Sequence, residues 1–221
     1  WWMDRIRRTF ALFDWVRIDH FRGFASSYAI PAGEKDARRG TWQPGPGIAF
    51  FERVHREFPE PRLILEDLGL ITPEVEELRA RTGLPGMAIL QFAFSGPDNA
   101  YLPHHLRART VVYPGTHDND TTRGWYDSED EGVRDFARRY LRVSGETIAW
   151  DFIRAAYASV ASIAVIALQD FLHLGSEARF NTPSVAEGNW SWRASRDQLE
   201  TLARESGDYL RELAYPYDRA P

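Results

Sequence analysis

Apolar positions in this chain alternate between two spacings, and the switches mark out its elements. Ile6, Phe10 and Phe13 recur at helical spacing, which predicts a helix over residues 1–11. Residues 13–19 then read as a short strand that ends on Asp19. A Gly- and Pro-rich loop follows, including residues 40–47. Residues 48–58 read as helix and 62–66 as a second short strand, ending on Glu66. Thr72 before Pro73 opens a helix that runs to Thr82, just ahead of Gly83. Residues 87–92 and 110–113 read as the third and fourth strands. Ser128 with Glu131 has the spacing of a capping box for a helix through Arg142, and another helix spans 146–159. Residues 163–168 form a fifth apolar strand. Ser195 with Gln198 caps a closing helix over 196–214.

Alternating strands and helices predict an α/β fold with a parallel sheet. No linker, repeat or low-complexity tract interrupts residues 1–221, so a single domain is expected. Five strands cannot close an eight-stranded barrel alone. The alternative, a doubly wound sheet, is disfavoured because no Gly-rich phosphate loop follows any strand.

Composition narrows the functional classes. The 221 residues are 43% hydrophobic and 27% charged with a net charge of -5, and no Lys/Arg block points to nucleic acid. The absence of cysteine removes disulfides, thiol catalysis and Cys-ligated zinc, and fits a reducing compartment. The longest apolar run, 160–168, is broken by Ser162 and far too short to span a bilayer. The N-terminal residues lack signal-peptide character, and a chain that starts on Trp1 reads as cut at that end. Aromatic residues make up 14%, including eight tryptophans; most are expected in the core, and those near loops could stack on sugar rings.

Three carboxylates, Asp19, Glu66 and Asp118, sit where strands end. In a barrel those ends converge on one face, and catalytic groups come from several of them. Glycoside chemistry needs such a set: one carboxyl protonated to assist the leaving oxygen, one ionised to attack the anomeric carbon. Arg17 and Asp19 share a strand face, and His20 and Arg22 stand nearby, which favours an ionised nucleophile at Asp19. Glu66 follows Leu63-Ile64-Leu65 and precedes Asp67, a setting that favours a protonated acid/base. Asp118, beside His117, reads as a third group that orients hydroxyls and stabilises developing positive charge. A metal site built from His117, Asp118, Asp120, Asp19 and His20 is the rival arrangement, but Arg17 and Arg22 would repel a cation there, so no metal and no cofactor are expected. The same three carboxylates would also suit a hydrolase, or a carbohydrate-binding fragment without catalysis.

The longer strings are more specific. Val16-Arg17-Ile18-Asp19-His20-Phe21-Arg22-Gly23 resembles the nucleophile strand of the amylomaltase, or disproportionating-enzyme, family of 4-alpha-glucanotransferases. Glu66-Asp67-Leu68-Gly69-Leu70-Ile71-Thr72-Pro73 is similar to its acid/base strand, and Gly115-Thr116-His117-Asp118-Asn119-Asp120-Thr121-Thr122 to its third catalytic segment. Gly124-Trp125-Tyr126, Gly40-Thr41-Trp42, Tyr101-Leu102-Pro103-His104 and Gly188-Asn189-Trp190-Ser191-Trp192-Arg193 are further matches, and the motifs keep the family's order. The resemblance implies Asp19 as nucleophile, Glu66 as acid/base and Asp118 as transition-state stabiliser. It adds Arg17, His20, His117 and Asn181 as substrate-binding residues. Phe180 stands where the family carries a smaller apolar residue. The resemblance further implies transfer of α-1,4-glucan segments between maltooligosaccharides, in the cytoplasm, without nucleic-acid or membrane partners. The chain then corresponds to strands four to eight of a TIM (β/α)8 barrel. Its partner is the missing N-terminal half of the same chain, and the fragment alone is expected to be inactive.

Overall fold

The computed structural model describes residues 1–69 and 71–219; Leu70, inside the second motif, lies outside them. The chain is α/β and divides into two compact units, Trp1–Met87 and a second that begins at Ala88.

In the first unit, α1 (Trp2–Phe10) leads to β1 (Val16–Ile18), the four-residue α2 (Arg22–Ala25), β2 (Ser26–Ala29) and β3 (Thr41–Pro44). Then come α3 (Gly47–Glu57), β4 (Leu63–Leu65) and α4 (Pro73–Thr82). β1 and β4 run parallel in the register Val16↔Leu63, Arg17↔Ile64, Ile18↔Leu65. All three β4 residues are buried, as expected of a parallel strand covered on both faces. Leu63, Leu65, Phe21, Phe51 and Val54 are fully buried in one cluster with Ile6, Ile18, Val75 and Leu78. Each such side chain contributes about 1.5–3 kcal/mol by leaving water, so the core of this unit lies directly beneath the strand pair. Helix α4 starts with Pro73 at its first turn and stops at Gly83, whose φ of 67° places it in the left-handed region that closes a helix.

Residues 40–47, expected as loop, contain β3, which pairs antiparallel with β2. The sequence hides this pair because every residue of β3 is exposed, so no alternation of apolar and polar positions marks it.

The second unit holds most of a three-stranded sheet of order β5-β6-β7, with β5 at Gly86–Ile89 spanning the Met87/Ala88 boundary, β6 at Thr110–Tyr113 and β7 at Ile163–Ala164. β6 and β7 are parallel, with Val111↔Ile163 and Val112↔Ala164. Between them lie α5 (Thr122–Ser128), α6 (Glu131–Leu141) and α7 (Ile148–Ala158); α8 (Leu168–Phe171) and α9 (Arg196–Ala214) follow β7. The core of this unit gathers Leu90, Phe94, Leu102, Val112, Trp125, Ile148 and Phe152.

Two expectations are corrected here. The fifth strand ends at Ala164 and the apolar run continues into α8, because hydrophobicity alone does not separate a buried strand from a buried helical turn. Ser128 does not cap α6. It ends α5, donating its hydroxyl back to the carbonyls of Gly124 and Trp125, and Asp130 precedes α6 instead. The cap that α5 uses is Thr121, whose side chain accepts the Gly124 N–H. The capping box of α9 is present as read, with Ser195 and Gln198 each bonding the other's main chain.

Candidate active site

The first unit carries Arg17, Asp19, His20 and Glu66. Arg17 lies in β1 and Asp19 follows its last residue, and an Arg17 guanidinium nitrogen stands 2.6 Å from Asp19 Oδ1. Asp19 itself is 76% exposed at the side chain, against 24% for Arg17, so the anion projects outward from a cation that is partly sunk in the protein.

Glu66 follows β4 as Asp19 follows β1, one residue beyond the pair Ile18↔Leu65. Its N–H donates to Ile18 O at 2.9 Å and its carbonyl accepts the Phe21 N–H at 2.9 Å. Its carboxylate Oε2 accepts the His20 N–H at 2.6 Å. His20 thus reaches Glu66 through its main chain. It also has φ 49°, and a non-glycine residue held there marks a site where surrounding structure overrides local preference.

Next along the chain, Asp67 is buried on the other side of the strand end. Its Oδ1 accepts the Met87 N–H at 2.7 Å, and Arg79 Nε lies 3.2 Å from Oδ2, off the direction that would make a hydrogen bond. Burial pushes the Asp67 carboxyl up to about 6. Gly86 packs against it so closely that a Cβ there would fall 2.3 Å from Oδ2.

The second unit carries His117, Asp118 and Asn181. After β6 the chain turns tightly, with Thr116 donating both its N–H (3.0 Å) and hydroxyl (2.8 Å) to Asn119 Oδ1. Asn181 Nδ2 donates to Asp118 Oδ1 at 2.6 Å, although the two residues are 63 positions apart. His117 Nε2 lies 3.4 Å from Asp118 Oδ2. The structure thus brings Arg17, Asp19, His20 and Glu66 together in one unit and His117, Asp118 and Asn181 together in the other.

Sequence reasoning missed what fixes the second group. Arg179 donates from one terminal nitrogen to the Asp118 carbonyl (2.8 Å) and from Nε to the Asn181 carbonyl (2.8 Å), so one guanidinium ties both segments. Asp120 holds the same turn from the far side, accepting the Ser176 hydroxyl at 2.6 Å and the Thr121 N–H at 2.7 Å. Arg179 immediately precedes Phe180-Asn181, but the hydrogen bonds by which it ties the two segments go to main-chain carbonyls, which no residue pattern announces. Among the described residues, no group of three or more His, Cys, Asp or Glu is placed to hold a metal ion.

Asp170, behind this turn, accepts the Thr122 N–H at 2.8 Å at the start of α5. Burial, with a smaller contribution from the Asp120 charge, pushes it up from 3.8 to about 6. Its folded-state pKa exceeds its unfolded one, so its stabilising share is present below the unfolded value and is lost as pH rises through about 6. A rise of about two pKa units corresponds to about 3 kcal/mol. Asp170→Asn keeps an oxygen for the Thr122 amide and is expected to stabilise the chain by up to that amount at about pH 8, with little change at about pH 4. Thermal melting at both values checks this.

The sequence profile of the 4-alpha-glucanotransferase family matches residues 1–199. The chain is 49% identical to a chloroplastic/amyloplastic 4-alpha-glucanotransferase of Arabidopsis thaliana, over 99% of this chain and 38% of that protein. It is 48% identical to a 4-alpha-glucanotransferase of Streptococcus pneumoniae, over 99% of this chain and 43% of the relative. The solved structure of the amylomaltase from Streptococcus agalactiae in complex with acarbose matches at a TM-score of 0.92 and 33% identity, covering 100% of this chain and 45% of that one. The chain therefore spans about two fifths of the length of the curated relatives it matches. On motifs, fold and profile together, this chain belongs to the 4-alpha-glucanotransferase family.

Proposed function

We propose that this chain supplies the carboxylates of a retaining 4-alpha-glucanotransferase, the region from strand four to strand eight of a (β/α)8 barrel within one catalytic domain. The substrates are α-1,4-glucans and maltooligosaccharides, and the remaining barrel strands are the partner. A cytoplasmic setting fits a chain without cysteine; the Arabidopsis relative carries a plastid designation.

In the first step, an Asp19 carboxylate oxygen attacks C1 of the donor glucosyl unit. The C1–O4 bond breaks, and Glu66 gives its proton to the departing oxygen. In the second step, the 4-hydroxyl of an acceptor glucan gives its proton to Glu66. Its oxygen then attacks C1, and Asp19 leaves as a carboxylate. Two inversions restore the α configuration. The part that the family resemblance gives Asp118 is stabilisation of the positive charge that builds on the ring between these states. Arg17 holds Asp19, while His20, His117 and Asn181 bind around the reacting sugar.

The observation that supports this reading is that Asp19 and Glu66 each follow, by one residue, the last pair Ile18↔Leu65 of the parallel strands β1 and β4. A retaining pair of carboxyls needs about 5–5.5 Å between them. An inverting pair, which must admit a water, needs about 6.5–9.5 Å. With the full-length protein and maltotriose, the expected products are glucose together with a ladder of longer and shorter maltooligosaccharides. A steady net loss of glycosidic bonds without longer products would identify a hydrolase.

A further inference from the structure

Beside the Asp118 turn, Trp190 combines three features that core packing does not require together. Its backbone is left-handed, with φ 60°, a conformation that is a true outlier for a bulky residue. The residue is 53% exposed. Its ring lies 5.4 Å from the ring of His117, and it stacks on Phe180 at 6.1 Å with a 24° interplanar angle.

The surrounding loop is built to hold it there. The Trp190 N–H donates to Phe180 O at 2.6 Å, and its carbonyl accepts from Arg193 at 2.8 Å. Asn189 cross-links the same loop, accepting the Thr182 N–H at 2.9 Å and donating to Val185 O at 2.7 Å. Phe180 in turn sits between Arg179 and Asn181, the two residues that fix Asp118. A strained backbone that holds a half-exposed apolar ring next to candidate sugar-binding groups supports a ligand role.

We propose that Trp190 is a stacking platform for a glucosyl ring of the glucan, next to the unit that His117 and Asp118 engage. This rests on the glucan reading above and adds a specificity-determining residue to it. The apolar face of an α-linked glucose carries axial C–H groups that pack on an indole, while its equatorial hydroxyls stay at the rim. Phe180 stacks against the indole, which gives the bulky residue standing at position 180 a purpose.

The test compares Trp190→Ala, Trp190→Gly and Trp190→Phe in the full-length protein with maltotriose. A platform binds ground and transition states alike, so Trp190→Ala is expected to raise KM about tenfold, the worth of one aromatic contact, and to leave kcat nearly unchanged. Trp190→Phe keeps a stacking face and returns KM toward the wild-type value. Trp190→Gly loses the ring but relaxes the left-handed backbone, so it shares the raised KM while melting above Trp190→Ala. An unchanged KM, or a loss confined to thermal stability, overturns the platform. The transferase reading fails separately: KM can be read from donor consumption whether or not the product ladder appears.

Discussion

Asp19→Asn is expected to lower kcat on maltotriose by roughly four orders of magnitude, the scale on which loss of a covalent nucleophile acts. The amide matches the carboxylate in shape and still offers an oxygen to Arg17, so the local structure has no reason to change. Asp19 is mostly exposed and its ion pair with Arg17 is worth no more than about 1 kcal/mol after solvent screening. The variant should therefore melt close to the parent, separating lost chemistry from lost fold. A second measurement reads the role directly. In Asp19→Ala, azide fills the space of the missing carboxylate and attacks C1 of an α-glucosyl fluoride as fluoride leaves, giving a β-glucosyl azide. Recovery of that product is the expected result; near-normal turnover of maltotriose by Asp19→Asn would remove Asp19 from its role.

Glu66→Gln is expected to separate the two steps. With maltotriose, whose leaving oxygen needs a proton, the rate should fall by about 10²–10⁴, the usual contribution of a positioned acid/base. With a glucosyl fluoride, fluoride departs unaided, so Asp19 still attacks. The second step then lacks the base that takes the acceptor's proton. The covalent glucosyl-enzyme should accumulate, visible by mass spectrometry as a single hexosyl addition on the strand that carries Asp19. Equal rates with both donors, or no adduct with the fluoride, would argue against Glu66 as acid/base. The glutamine retains an oxygen for the His20 N–H that now binds Glu66 Oε2, so the strand end stays in place.

The parts of this molecule that were legible in the sequence are those whose signal is local. β4 shows a compact apolar run closed by Glu66, and α9 announces itself through Ser195 and Gln198. The Arg17–Asp19 contact is the one expected from their two-residue spacing at the strand end. What stayed hidden depends on distant chain or on backbone. The β2–β3 pair lies at the surface without alternation. The Asn181–Asp118 bond spans 63 positions, and Arg179 works through carbonyls common to every residue type. The carboxyl that burial raises to about 6 beside the acid/base candidate is Asp67. Composition names both acids as neighbours, but only the direction each side chain takes from the strand end tells which of them is buried beneath it.

The ladder between β1 and β4 pairs Arg17 with Ile64, 47 positions further on. Closing so long a loop costs entropy before any contact repays it, and pairings of this kind form slowly. β1 lacks its β4 partner in a nascent chain until the intervening hairpin, α3 and β4 itself have been produced. Damage to Leu63 or Leu65, which touch no substrate, would be felt as a smaller population of assembled sites, each of normal speed.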